Sequence, residues 1–167
     1  MNLALLNGSS SQPPSLAQVS EVLCSRAQVS ALREQQEKPI MSLVTGNDTF
    51  VVLPTGGGKT LIMLAPLVIA DAMGQPGKAF IIVPTKILAD QQAEEARKYG
   101  LHAQSITEDT VRIAAASLPS RDLFQEFANQ SGVAVAIMSP QMMGGDRVNK
   151  LMQSEAFRTL VRWVFGR

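Results

Sequence analysis

Residues 49–62, Thr49-Phe50-Val51-Val52-Leu53-Pro54-Thr55-Gly56-Gly57-Gly58-Lys59-Thr60-Leu61-Ile62, leave the chain little choice of local geometry. Thr49 to Leu53 is β-branched, aromatic and apolar, the composition of a buried strand. Three consecutive glycines interrupt it, and Leu61-Ile62-Met63-Leu64 then reads as a helix. A strand, a glycine loop and a helix start, in that order, turn backbone N–H groups inward around an anion. The helix N-terminus adds partial positive charge. In such a loop Lys59 reaches the β- and γ-phosphates of a nucleotide, and the Thr60 hydroxyl serves a Mg²⁺ ion. The phosphate-loop pattern G-x-x-x-x-G-K-[ST] is met except at its first position, where Leu53 stands.

Composition sets the frame for this motif. A chain of 167 residues with 46% hydrophobic and 17% charged residues is globular and long enough to bury a core. Fifteen basic against fourteen acidic residues give a net charge of +1, so any nucleic-acid site must be local. The single cysteine, Cys24, excludes an internal disulfide framework and a cysteine metal site, and packing is its expected role. His102, the only histidine, reads as a loop residue. The start lacks a basic region and an apolar run long enough for a signal peptide, and no apolar stretch reaches membrane-spanning length. A soluble, intracellular protein is expected.

The chain divides into an expected flexible segment, 1–14, rich in Ser, Pro and Gly, and a domain over 15–167. Ser15 caps a helix with Leu16, Val19, Val22 and Leu23 on its apolar face. A second helix carries Val29, Leu32, Gln36, Ile40 and Leu43, with Pro39 expected to kink or divide it. Beyond the glycine loop, a helix of about 13 residues ends near Gly74. Ala79–Val83 and Val133–Met138 are continuous apolar runs of the kind found in parallel strands covered on both faces. Between them lie a helix over Lys86 to about Tyr99, a strand over Leu101–Ile106, a short strand over Val111–Ala116 and a helix over Arg121–Asn129. Helices near Arg147–Met152 and Ser154–Leu160 lead into Val161–Phe165, the start of another strand. Strands alternating with helices predict an α/β fold with a mostly parallel sheet, its ligands beyond the strand carboxyl ends.

Several ordered blocks resemble those of the first RecA-like domain of superfamily 2 DEAD/DEAH-box helicases, most of all the RecQ-like ATP-dependent DNA helicases numerous in fungi. The likeness spans about residues 28–165. Leu32-Arg33-Glu34-Gln35-Gln36 is similar to the family block whose glutamine and arginine recognise adenine. A glutamine amide both donates and accepts, and a guanidinium stacks on a base. Pro54-Thr55-Gly56-Gly57-Gly58-Lys59-Thr60 matches the family's P-T-G-x-G-K-[ST], a form that often lacks the first glycine. Pro84-Thr85-Lys86-Ile87-Leu88-Ala89-Asp90-Gln91 is similar to P-T-R-E-L-A-x-Q, and Ser139-Pro140-Gln141-Met142-Met143 to S-P-E/Q-x-L, both of which contact the backbone of the tracked strand. Trp163 and Phe165 read as core residues in the run-up to the Walker B strand.

The resemblance implies a RecA-like P-loop NTPase domain, incomplete at its C-terminus. The family's D-E-x-H would follow Phe165, and here Gly166-Arg167 stands instead. The S-A-T block and the second RecA-like domain are not in this sequence either. ATP and Mg²⁺ are the implied cofactors. Arg33, Gln36, Pro54, Thr55, Gly56, Gly57, Gly58, Lys59 and Thr60 would hold them, with Lys59 and Thr60 in the chemistry and Thr60 on the metal. Thr85, Lys86, Gln91 and Ser139 would touch a single nucleic-acid strand, DNA in preference to RNA, with a nuclear location implied. Other readings are a non-catalytic nucleotide- or nucleic-acid-binding module, an RNA helicase domain, and a small phosphate-loop kinase or GTPase.

Overall fold

The computed structural model describes residues 13–166, so most of the segment expected to be flexible lies outside the described residues. Two compact units are divided between Gln75 and Pro76.

The first unit is helical. Helix α1 (Leu16–Ala27) starts at Ser15, whose hydroxyl and backbone N–H exchange hydrogen bonds with Gln18. Its buried Val19 and Leu23, four residues apart, share one face, and the Arg26 guanidinium donates to Asp71 at 3.0 Å. Helix α2 (Glu34–Val44) begins five residues later than the apolar spacing from Val29 predicts, and it remains a single helix around Pro39. Helix α3 (Lys59–Ala72) buries ten consecutive residues, Leu61–Ala70.

Thr49 to Leu53 does not form the expected strand. Exposure alternates residue by residue, yet the segment pairs with no strand among the described residues. Phe50 is 94% exposed and Val52 78%. Apolar, β-branched composition reports a preference for a pleated, half-buried surface and carries no information on whether a ladder partner is present.

The second unit is a parallel α/β layer. Strands β1 (Gly77–Ile82), β2 (His102–Ile106), β3 (Val133–Met138) and β4 (Val161–Gly166) form one sheet in the order β2-β3-β1-β4. All pairings are parallel, with Ile82 and Ile106 each level with Met138. Strand β3 is buried along its whole length and β1 over Gly77–Ile81, as their unbroken apolar runs predict. Helix α4 (Lys86–Lys98) lays Ala89, Ala93 and Ala96 against the sheet at β2 and β3. The core on the other face gathers Phe80, Phe127 and Phe157, with ring centroids 5.4–6.5 Å apart in edge-on contact. Phe127 comes from α6 (Leu123–Asn129) and Phe157 from α9 (Glu155–Arg158). Helix α8 (Asp146–Gln153) adds Val148 and Leu151.

The strand expected at Val111–Ala116 is a helix, α5 (Glu108–Ala116). Thr107 and Thr110 exchange side-chain and backbone hydrogen bonds at its start, and Glu108 and Asp109 occupy its first turn, where carboxylates favour a helix. His102 opens β2 rather than lying in a loop. On β1, Lys78 is 1% exposed, its ammonium donating to the Gln130 carbonyl and standing 5.6 Å from the Phe127 ring centre. Gly77 lies under Trp163 of β4, and a Cβ there would come 2.5 Å from the indole.

Candidate functional site

In the first unit, the glycine loop owes its shape to three separate demands. The Gly57 N–H bonds the Pro54 carbonyl at 3.0 Å, closing a turn in which Gly56 takes φ 79°. Gly57 has no room for a side chain, since a Cβ would lie 2.9 Å from that of Leu53. Gly58 is left-handed, with φ 79° and ψ 27°, and a Cβ there would fall 2.0 Å from Gln36 Nε2. Gly58 is also the N-cap of α3 and offers its first turn no side-chain acceptor. A helix start of this kind presents backbone N–H groups to an anion.

Around this loop the structure gathers the residues named from the sequence. The Arg33 guanidinium donates to the Gly56 carbonyl at 2.6 Å. Gln36, 4% exposed, accepts from the Arg33 backbone N–H at 2.9 Å and donates to the Gly58 carbonyl at 3.5 Å. Arg33 and Gln36 are thus joined by side-chain hydrogen bonds to a glycine loop 23 and 22 residues further along the chain. A primary amide carries two N–H groups, so Gln36 keeps one donor beyond its bond to Gly58. The Lys59 ammonium turns back to the Leu53 and Pro54 carbonyls, at 2.7 and 3.0 Å. Thr60 is the second residue of α3, and Pro54 and Thr55 are exposed at the loop entrance. The donor set fits a polyphosphate: a flexible ammonium, an arginine, uncapped backbone N–H groups, and a hydroxyl of the kind that binds Mg²⁺.

In the second unit, three neighbouring strands end on one rim, and each hands over to a helix capped by a hydroxyl. Thr107 accepts from the Thr110 N–H at the end of β2, and Ser139 from the Met142 N–H at the end of β3. Thr85 accepts from the Leu88 N–H just beyond β1. The Thr107 hydroxyl spends its proton on Thr110 Oγ1 at 3.3 Å, whereas those of Thr85 and Ser139 keep theirs to donate, and a phosphate oxygen is a suitable acceptor. Ser139 opens a helix of one turn, α7 (Pro140–Met143). Thr85 and Ser139 are therefore brought to one rim, while Gln91 is exposed on α4, more than a turn beyond Lys86.

The sequence reading missed what Lys86 faces. Its ammonium lies 2.9 Å from Asp109 and 3.3 Å from Glu108 on the first turn of α5. Hydrogen bonds donated to Asp109 and then to Glu108 raise the Lys86 pKa, and the Lys86 bond holds Asp109 below its ordinary value. Asp109 also pairs with Arg112, at 3.3 Å. Two acids in a first turn are the sequence signal for such a helix, but the strand expected at Val111–Ala116 leaves Glu108 and Asp109 outside any element.

Comparison with known proteins follows the same blocks. The profile of the DEAD/DEAH box helicase family matches residues 33–161. The RecQ-like DNA helicase blm-1 of Caenorhabditis elegans is 32% identical over 89 residues, 53% of this chain and 8% of that protein. The ATP-dependent RNA helicase ROK1 of Eremothecium gossypii is 41% identical over 87 residues, 50% of this chain and 15% of that protein. The RecQ-like DNA helicase BLM of Xenopus laevis is 31% identical over 86 residues, 52% of this chain and 6% of that protein. The matched part of this chain thus spans a small fraction of each relative's length. Among the described residues no helix is long and apolar enough to cross a membrane.

Proposed function

This chain belongs to the DEAD/DEAH box helicase family, and from that premise we propose that it is the ATP-binding domain of an ATP-dependent DNA helicase. The supporting observation is the loop over 54–60, with two left-handed glycines before an uncapped helix start and a lysine. In this reading Gly56, Gly57 and Gly58 form the phosphate cradle and Pro54 and Thr55 its entrance. Lys59 leaves the Leu53 and Pro54 carbonyls for the β- and γ-phosphates, and Thr60 holds Mg²⁺. Arg33 and Gln36 read adenine, Gln36 with its remaining N–H. Bound Mg²⁺ would neutralise charge on the β- and γ-phosphates.

On the rim of the second unit, Thr85 and Ser139 donate their hydroxyl protons to backbone phosphates of a single strand, with Lys86 supplying charge and Gln91 a flanking contact. Such contacts position a strand without reading bases. DNA is favoured because two of the three relatives above are named DNA helicases, while ROK1 supports the RNA reading. Residues 1–167 supply the cradle and not the D-E-x-H acids, so the chain alone binds ATP without rapid turnover. The test is calorimetric ATP titration with Lys59→Ala as control, followed by a DNA-stimulated ATPase assay. Lysine-dependent binding with slow turnover supports the reading. ATP affinity unchanged by the substitution overturns the site, and fast lysine-dependent hydrolysis overturns the inactivity of the isolated chain.

A further inference from the structure

The contact between Lys86 and the first turn of α5 has no part in the function proposed above. Lys86 is the first residue of α4, where the helix field disfavours a cation, and the start of α5 lies beside it. Two helix N-termini and a lysine on one rim make a strongly positive spot, and that is where the fold places two carboxylates. Glu108 and Asp109 engage the ammonium from a segment 22 and 23 residues away in the chain. The Lys86, Glu108 and Asp109 side chains are 46%, 73% and 50% exposed, so a phosphate arriving from solvent reaches the same ammonium.

We infer that Glu108 and Asp109 act as a built-in competitor for the strand phosphate at Lys86, setting how tightly the rim of the second unit holds a nucleic-acid backbone. The inference rests on the reading of Lys86 as a strand contact. A carboxylate and a phosphodiester are both oxyanions that accept from an ammonium, so only one of them has its full contact at a time. Because the carboxylates already neutralise Lys86, an incoming phosphate gains less from it. The fold thereby weakens strand binding at this point and favours a strand that is released and rebound.

The test is binding of a fluorescent oligothymidylate by the full chain, without nucleotide, over about 50–200 mM salt. The variants are Glu108→Gln/Asp109→Asn, Lys86→Ala, the combination of the two, and a charge-matched control, Glu94→Gln/Glu155→Gln, away from the rim. The expected result is affinity about threefold or more higher for Glu108→Gln/Asp109→Asn at the low-salt end, with a salt slope steeper by about 0.7, the share of one single-strand phosphate contact. The control should gain less, and the excess gain should vanish when Lys86 is alanine.

An equal gain in the control, or a gain that persists without Lys86, reduces the effect to general charge or to Arg112 and overturns the inference. No gain, while Lys86→Ala weakens binding by the wild-type protein, overturns the competition and leaves Lys86 as a strand contact. Lys86→Ala without effect in either background overturns the strand-contact reading and the inference together. Binding by neither the wild type nor the double variant does the same. Thermal melting of each variant checks the fold, which exposed ion pairs stabilise little.

Discussion

The glycine loop over 54–60 and the sheet over 77–166 differ in what determines them. Strands β1 and β3 are placed by burial: their side chains leave water whatever the protein binds, and three phenylalanine rings close the core over one face. The loop buries little. Its shape comes from two left-handed glycines, one glycine with no room for a side chain, and hydrogen bonds from Arg33, Gln36 and Lys59 to its carbonyls. A region shaped by burial answers to stability measurements. A region shaped by donors gathered around a cradle answers to ligand measurements.

Substitutions in the two regions should therefore separate these readouts. The largest effect is expected in the sheet: Phe127→Ala removes the ring between Phe80 and Phe157 and should cost about 3–5 kcal/mol in chemical denaturation. In the loop, Lys59→Ala should lower ATP affinity about tenfold or more, the worth of one charged hydrogen bond, and move the denaturation midpoint little. A large stability loss with ATP binding intact would reverse the contrast. Gly58→Ala should cost about 1–2 kcal/mol from backbone strain alone, with the clash against Gln36 added. Gln36→Ala should recover the clash and leave the strain, giving a measurable coupling in a double-mutant cycle.

A pH series sharpens the comparison within the core. Burial lowers the pKa of Lys78, so between that lowered value and its ordinary 10.5 the unfolded chain binds more protons than the folded one. The Lys78 contribution to stability should therefore rise with pH across this window, and the difference between wild type and Lys78→Met should narrow or change sign accordingly. A difference independent of pH would mean that the amine titrates as it does in water. The smallest effect is expected at Phe50, where replacement by Ser should change stability by no more than about 0.5 kcal/mol because the ring is already in water. A loss of several kcal/mol would restore the buried strand read from the sequence.

That last case shows where sequence reading stopped. The runs Ala79–Val83 and Val133–Met138 were legible because strands covered on both faces need unbroken apolar residues, and the structure supplies both covers. Thr49–Leu53 has the same composition without a paired neighbour, and pairing is a property of two segments that one segment cannot report. At 107–116 the Thr107–Thr110 capping pair and the acidic first turn carry the local information for a helix, and they lie just before Val111–Ala116, whose composition alone suggests a strand. The loop residues were legible because spacing within a motif is local. The bonds from Arg33 to Gly56 and from Lys86 to Asp109 each join residues 23 positions apart, which no periodicity reveals.

The packing of Trp163 over Gly77 also constrains how this sheet can diverge. The indole lies where any side chain at position 77 would have to begin, in the strand next to its own. Enlarging residue 77 first would force the ring out of its seat. Shrinking residue 163 first opens the space that the larger residue then fills. Of the two orders in which these positions can exchange volume, only the second passes through an intermediate that folds without a clash, so the two sites should change as a pair and in that sequence.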